Sequence, residues 1–336
     1  MERQLTLLIL SSAVMASRVS NLIDKRIKLS IVSGFLGSGK TTFLQHYINK
    51  NSHDQLCIIV NEVGDIPVDD LLLGKKVEKY IIAGGCICCD KSDQFLQQLI
   101  QICDTRTAQS VSGNQQLETI IVETSGISDP ASIYESIMNH PIVGRNITFD
   151  GITVLLDALD DNNFITQALI AKQLVCADNI YISKTDLAST ASLLRTYNVA
   201  KHFNPTAIIK TCEKGVLKNL NAEEMQDNDF DLVLPEVQID NGNQFETFVI
   251  QLSEKTDWNT LVVWMSALLS CHGKRIMRLK GVVNSPAGKL LIQGVGSNIQ
   301  KPQILPKRFA NKKCFLVLIG VDFKEVDIQQ SMRYLN

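Results

Sequence analysis

The stretch GFLGSGKTT at residues 34–42 fits the phosphate-binding pattern G-x-x-x-x-G-K-[ST] without a mismatch. It follows an apolar run at residues 29–33 and opens a helical pattern, so we expect a strand-to-helix turn whose backbone N–H groups face phosphate oxygens. Lys40 is expected to reach the β- and γ-phosphates, and the Thr41 hydroxyl to bind Mg²⁺. The predicted nucleotide contacts of this loop are Gly34, Gly37, Ser38, Gly39, Lys40, Thr41 and Thr42.

Apolar runs rich in Val and Ile alternate with helical patterns from residue 28 onward. The runs lie at residues 29–33, 56–61, 79–83, 119–123, 152–157, 179–183 and 207–211. This alternation predicts an α/β fold, a mostly parallel sheet with helices on both faces, and ligands at the carboxyl ends of the strands. We expect an amino-terminal extension at 1–27, a P-loop domain at 28–220, an acidic linker at 221–244 and a smaller α+β domain at 245–336.

Composition excludes several classes of protein. The 336 residues carry 45% hydrophobic side chains, enough for the cores of about two domains, and 33 basic against 35 acidic side chains. No global positive field exists, so we predict no nucleic-acid or membrane partner.

The apolar run at residues 5–16 is too short to span a bilayer, and Met15 is a hypothetical alternative start. The basic stretch at residues 274–280 alternates charged and apolar side chains, which predicts a half-buried strand with one wet face.

A carboxylate follows the apolar run at residues 119–122. Glu123 begins the motif E-T-S-G, and we expect it to orient Mg²⁺ through water while the Gly126 amide senses the γ-phosphate. The alternative is an ordinary strand end with a solvated carboxylate.

The base is predicted from the S-K-T-D stretch at residues 183–186. An ionised Asp186 accepts hydrogen bonds, which matches the N1–H and N2–H₂ donors of guanine but not adenine, and Lys184 can lie along the base. The first residue of this motif is usually Asn and is Ser183 in this chain, so the motif is degenerate.

Three of the nine cysteines fall within four positions, at Cys86, Cys88 and Cys89, after two glycines. Three thiolates suit Zn²⁺ or a similar soft ion, and three ligands leave one position open for transfer. A redox dithiol and buried structural cysteines are the alternatives.

Glu62 and Asp65, at the end of the second strand, are candidates to complete the metal site or to act in a nucleotide switch. The other six cysteines occur singly, mostly in apolar elements, and are predicted to be small core residues in a reducing, cytoplasmic compartment.

With these motifs in order, the chain resembles the CobW-type GTPases, the cobalamin-synthesis-protein-W family of metal chaperones, from about residue 27 to the end. The resemblance rests on GFLGSGKTT, N-E-x-G at 61–64, GCICC at 85–89, ETSG-x-x-DP at 123–130, the guanine motif and RLKG at 278–281. It implies a GTPase domain, a smaller carboxyl-terminal domain, weak intrinsic GTP hydrolysis, and zinc or cobalt at Cys86, Cys88 and Cys89. Val63, Asp65 and Pro67 depart from the family pattern, which leaves the switch role of their loop open.

The function that we expect is a GTPase that binds GTP, GDP and Mg²⁺ and transfers Zn²⁺ or Co²⁺ to a client metalloprotein, with a homodimer as one possible assembly. Lys40, Thr41 and Glu123 would carry the catalysis. A P-loop kinase acting on a small molecule, and a signalling GTPase with structural zinc, are the alternatives.

Overall fold

Two units are distinguished by contacts between Cα atoms, one at Lys25–Val237 and another that includes Gln238–Asn336. The structure is a computed structural model that describes residues 26–50, 55–62, 78–83, 87, 91–112, 116–159, 168–220, 238–239, 243–273, 275–309, 311–322 and 325–335. The predicted extension lies outside these residues except for residues 26 and 27.

The first unit is built on an eight-stranded sheet. Its strands are β1 (Ile27–Gly34), β2 (Leu56–Glu62), β3 (Glu78–Ala83), β4 (Thr119–Glu123), β5 (Ile147–Asp157), β6 (Asn179–Ser183), β7 (Ile208–Glu213) and β8 (Val216–Lys218). They are ordered β3-β2-β4-β1-β5-β6-β7-β8, and every neighbouring pair is parallel except β7 with β8. The strand order reverses at β1, because the chain continues to β2 on one side and later returns to β5 on the other. Such a reversal is where open α/β sheets bind ligands, and the phosphate-loop motif follows β1.

Six helices accompany this sheet among the described residues. They are α1 (Lys40–Lys50), α2 (Ser92–Ser112), α3 (Pro130–Asn139), α4 (Val143–Asn146), α5 (Ala168–Cys176) and α6 (Thr190–Phe203). Side chains of α1 pack with one set of strand residues, including Val32, Ile58 and Ile121. The strand residues next to these in sequence point to the opposite face, and Ile31 and Val122 there are also fully buried. The sheet is therefore covered on both faces, as the alternating pattern predicts.

The second unit contains an antiparallel sheet. Its strands are β9 (Gln238–Ile239), β10 (Asn243–Gln251), β11 (Ile276–Ser285), β12 (Gly288–Val295), β13 (Asn298–Ile299), β14 (Gln303–Ile304) and β15 (Phe315–Val321), in the order β13-β12-β11-β15-β10-β9 with β14 beside β12. Helices α7 (Trp258–His272) and α8 (Glu325–Met332) supply apolar side chains to its core. Asp257 begins α7 by accepting a hydrogen bond from the Thr260 amide at 2.8 Å. No helix of the described ranges is long and apolar enough to cross a membrane.

Two sequence predictions are wrong in the second unit. Arg278 was expected on a wet strand face but is only 1% exposed. The pairing of β11 with β15 shifts register between Ile276 and Arg278, and such an irregularity breaks the two-residue alternation on which the prediction rests. Cys271 was expected in the core and is exposed near the end of α7.

The other five single cysteines are buried, as predicted. Burial raises the pKa of the Cys103 thiol to about 11 and raises that of Cys212 as well. A raised pKa favours the neutral thiol, which suits the packing of Cys103 and Cys212 in the core.

Candidate functional site

The loop between β1 and α1 has the backbone that a phosphate cradle needs. Gly34, Gly37 and Gly39 have φ values of +137°, +75° and +91°, which side chains with a Cβ rarely adopt. At Gly34 an added Cβ would also lie 2.3 Å from the carbonyl oxygen of Leu155. The Lys40 ammonium lies at the loop and donates to the carbonyl oxygens of Gly34 and Phe35 at 2.8 and 3.0 Å.

One hydroxyl in this loop has a position that fits an anionic ligand. Ser38 is 2% exposed, and within the described part of the chain its Oγ has no hydrogen-bond partner. A buried hydroxyl without a partner is costly, and a phosphate oxygen is an acceptor of the kind it needs. The residues of the loop therefore fit a bound nucleotide phosphate.

Thr41 and Glu123 lie together, as the sequence predicts. The Thr41 hydroxyl donates to Oε1 of Glu123 at 2.9 Å, and Glu123 is buried at the end of β4. Glu123 is level in the sheet with Val32 of β1 on one side and Val60 of β2 on the other. A hydroxyl and a carboxylate at this distance are the oxygen ligands that Mg²⁺ prefers.

The segment after Glu123 packs tightly against the phosphate loop. The Ser128 amide donates to the Ser125 carbonyl at 3.0 Å, which closes a turn with Gly126 and Ile127 at its centre. An added Cβ on Gly126 would lie 2.5 Å from the Leu36 nitrogen, so only glycine fits at this position.

The predicted guanine loop contains a contact that the sequence did not indicate. Ser183, whose hydroxyl donates to the Ser38 carbonyl at 2.8 Å, ties the loop to the phosphate loop. Lys184 has a φ of +55° and donates at 2.5 Å to Oδ2 of Asp157, at the end of β5. Asp186 follows in the exposed part of the same loop. Asp157 was missed as a site residue, although a carboxylate at the carboxyl end of a buried strand is the signal that identified Glu123.

The predicted metal ligands Cys86, Cys88, Cys89 and Asp65 lie outside the described residues, as does the Glu62 side chain. The residue between the first two cysteines, Ile87, is described and buried. Its amide donates to Oδ1 of Asn61 at 3.2 Å, and Nδ2 of Asn61 donates to the Ile82 carbonyl at 3.3 Å. One buried side-chain amide at the end of β2 thus contacts the backbone at Ile87 and the end of β3. In the described part of the chain, His, Cys, Asp and Glu form no group of three that could hold a metal.

Two family models match this chain, one in each of its two parts. Residues 28–211 match the model of the CobW/HypB/UreG nucleotide-binding domain, and residues 245–335 match the cobalamin synthesis protein CobW C-terminal domain. The chain belongs to the CobW/HypB/UreG family. The resemblance drawn from the motifs is therefore confirmed, and residues 28–211 form the nucleotide-binding domain of this family.

Curated relatives of this CobW/HypB/UreG chain match most of its length. "Zinc chaperone YjiA" of Escherichia coli (strain K12) is 28% identical over 314 residues, which are 90% of this chain and 96% of that protein. "Zinc chaperone CobW" of Sinorhizobium sp is 24% identical over 319 residues, which are 82% of this chain and 87% of that protein.

The crystal structure of Zn(II)-bound YjiA GTPase from E. coli is 20% identical and superposes with a TM-score of 0.63, covering 93% of this chain and 99% of that one. This likeness confirms the predicted fold, a P-loop parallel sheet with a separate antiparallel carboxyl-terminal sheet.

Proposed function

We propose that this protein is a GTPase that binds Zn²⁺ and transfers it to a client metalloprotein, with GTP hydrolysis coupled to binding and release of the metal. The observation that carries the proposal is the hydrogen bond from the Ile87 amide to Asn61. It ties a C-x-C-C motif to the same sheet edge that holds the phosphate loop and Glu123. The E. coli and Sinorhizobium relatives are named zinc chaperones, which supports the same metal and activity for this chain.

Hydrolysis is assigned to residues at the carboxyl ends of β1 and β4. Lys40 turns from the loop carbonyls that it now contacts to the β- and γ-phosphate oxygens. The Thr41 hydroxyl would bind Mg²⁺ and Glu123 would orient the ion through water; when bound, the ion neutralises charge on the phosphates. Gly126 donates its amide to the γ-phosphate, Lys184 lies along the guanine, and Asp186 accepts the hydrogen bonds of its edge.

Metal binding is assigned to the thiolates of Cys86, Cys88 and Cys89, because sulfur ligands select zinc and similar ions over Mg²⁺. Glu62 and Asp65 are proposed as further ligands or as a link to the nucleotide. Three sulfur ligands leave a position for a donor from the client, which is the property that a chaperone site needs.

The link between the two sites runs across neighbouring strands. Glu123, which would orient Mg²⁺ through water, is level with Val60 of β2. The next residue, Asn61, holds Ile87 between two of the cysteines. A displacement at the nucleotide therefore reaches the thiolates through one strand, and by thermodynamic reciprocity the metal changes nucleotide affinity by the same factor.

A client metalloprotein and a cytoplasmic location belong to the same proposal. A reducing compartment keeps the three thiols available for metal, and a chaperone requires a recipient protein. No nucleic-acid or membrane partner is proposed, and the homodimer remains a prediction that light scattering of the nucleotide-loaded protein tests.

Competitive zinc titration of the GTP-loaded and GDP-loaded protein tests the function. We expect different zinc affinities in the two states, and loss of the tight site when Cys86, Cys88 and Cys89 are replaced by Ala. The matched control is Cys271→Ala, which removes an exposed cysteine outside the motif. Equal zinc affinities in both states would refute the coupling, and stoichiometric zinc in the triple variant would refute the site. Free phosphate as the product supports hydrolysis, whereas a phosphorylated acceptor would identify a kinase.

A further inference from the structure

Gln173 is a buried glutamine on α5 that contacts the turn after Glu123. It is 0% exposed, and its Nε2 donates to the Gly126 carbonyl at 3.2 Å and to the Ser128 carbonyl at 3.0 Å. Both hydrogens of one amide group are thus used on two carbonyls of the same turn. Ile127, between them, is 51% exposed, so one side of the turn faces solvent.

These bonds determine which way the Gly126 amide points. A peptide unit is planar and trans, so the N–H of Gly126 points opposite to the Ser125 carbonyl, which accepts the Ser128 amide inside the turn. The Gly126 N–H is therefore directed out of the turn. Gln173 fixes the following peptide through the Gly126 carbonyl, and the two constraints together hold both peptides of this glycine.

The side-chain carbonyl of Gln173 indicates that holding the turn carries a cost in free energy. Among the residues that the structure describes, its buried Oε1 has no hydrogen-bond partner. A second fully buried side-chain amide near α5, that of Asn204, has partners on both ends. Its Nδ2 lies within hydrogen-bonding distance of three carbonyl oxygens at or just after the end of α5, and its Oδ1 accepts from the Thr206 amide. A buried polar atom left unpaired is tolerated where the rest of the group has a specific role.

We infer that Gln173 is a positioning residue for recognition of the γ-phosphate. It organises the turn before the nucleotide binds, so that the Gly126 amide meets a triphosphate without first being ordered. A diphosphate does not use this amide, and its affinity is independent of Gln173. The inference rests on the proposed role of Gly126 in GTP binding.

Calorimetric titration with GDP and with a non-hydrolysable GTP analogue tests the inference in two matched variants. Gln173→Leu is expected to lower the affinity ratio of the GTP analogue to GDP about tenfold, ~1.4 kcal/mol, with GDP affinity unchanged. Asn204→Leu removes a buried amide from the same region without touching the turn. It is expected to lower the melting temperature and leave the ratio unchanged. Gln173→Met, which has a similar length and no hydrogen-bond donor, replaces Gln173→Leu if the leucine variant does not fold.

Three outcomes are distinguishable. A wild-type ratio in a Gln173 variant that binds both nucleotides overturns the inference. So does an equal fall of the ratio in Asn204→Leu, because the effect would then be a general loss of stability. Failure of the wild-type protein to bind either nucleotide would instead overturn the proposed function.

Discussion

The backbone amide of Ile87 donates to the side chain of Asn61, which lies 26 positions earlier in the sequence. Both residues are next to predicted metal ligands. Asn61 stands directly before Glu62, and Ile87 stands between Cys86 and Cys88. Residues that orient metal ligands through hydrogen bonds are needed for full metal affinity.

Asn61→Leu is therefore expected to weaken zinc binding about 10–100-fold, the range seen when residues behind metal ligands are removed. The substitution leaves the Ile87 amide and the Ile82 carbonyl without this partner. Zinc competition with a chromophoric chelator measures the effect. Asn179→Leu, at the amino end of β6, is the control and should keep wild-type zinc affinity. Equal affinities in both variants would contradict the prediction.

Thr41→Val should abolish most of the Mg²⁺-dependent hydrolysis while GDP still binds. Valine has the shape of threonine but cannot bind the metal or donate to Glu123. We expect kcat to fall about 100-fold or more, which is the scale for loss of one electrostatic contact in a transition state. Phosphate release under saturating GTP gives kcat, and Thr41→Ser, which keeps the hydroxyl, should retain hydrolysis. A valine variant with wild-type kcat would remove Thr41 from the mechanism.

Asp157→Asn should weaken GTP and GDP by the same factor, up to about fivefold, because the pair with Lys184 is partly exposed and such pairs contribute ~1 kcal/mol or less. Asn can still accept the Leu159 amide through Oδ1, as Asp157 does at 2.9 Å, so the loop itself is preserved. The equal effect arises because the base is common to both nucleotides. An effect on GTP alone would mean that Asp157 acts at the phosphates and not at the base.

Acid stability of the carboxyl-terminal unit should depend on Glu254. Hydrogen bonds from Lys289 and Asn284 lower the pKa of its carboxyl group to about 2, from an ordinary 4.5. A lowered pKa contributes stability above pH 4.5 that is lost as the pH falls through that value towards 2. Glu254→Gln should flatten this part of the stability curve. Both tryptophans of the chain, Trp258 and Trp264, are in this core, so their fluorescence during urea unfolding reports on this unit.

Glu246 offers a control of opposite sign. Burial and the nearby Asp322 raise the pKa of its carboxyl group, so its protonation favours the folded state as the pH falls. Glu246→Gln should therefore leave the acid-induced loss of stability as steep as in the wild type or steeper. A flattened curve in this variant would contradict the raised pKa of Glu246.

The positions of strands were predictable from the sequence where a segment consists mainly of apolar residues. Strands β4 and β6 begin and end at the residues expected from their apolar runs. Strand β5 begins at Ile147, five residues before its apolar run. The sequence does not predict this start, because Asp150 and Gly151 are residue types typical of turns. Gly151 has a φ of +139° and lies against Asp178, a contact that local sequence does not reveal.

The candidate site was predictable where its residues lie within contiguous sequence motifs. The pairing of Thr41 with Glu123 followed from the general architecture, since both follow neighbouring strands. The roles of Gln173 and Asp157 depend on contacts between segments far apart in sequence, and each is an ordinary polar residue in its own segment. Arg278 was misplaced for a similar reason, because an irregularity in strand pairing is decided by the partner strand.

The hydrogen bond from the Ser183 hydroxyl to the Ser38 carbonyl connects the two segments that are proposed to bind opposite ends of a nucleotide. A ligand that engages either end finds the other already in register, so association should need little rearrangement and should proceed quickly. Tripolyphosphate, which has no base, would then still occupy the cradle, and a free nucleoside would gain less from the same scaffold.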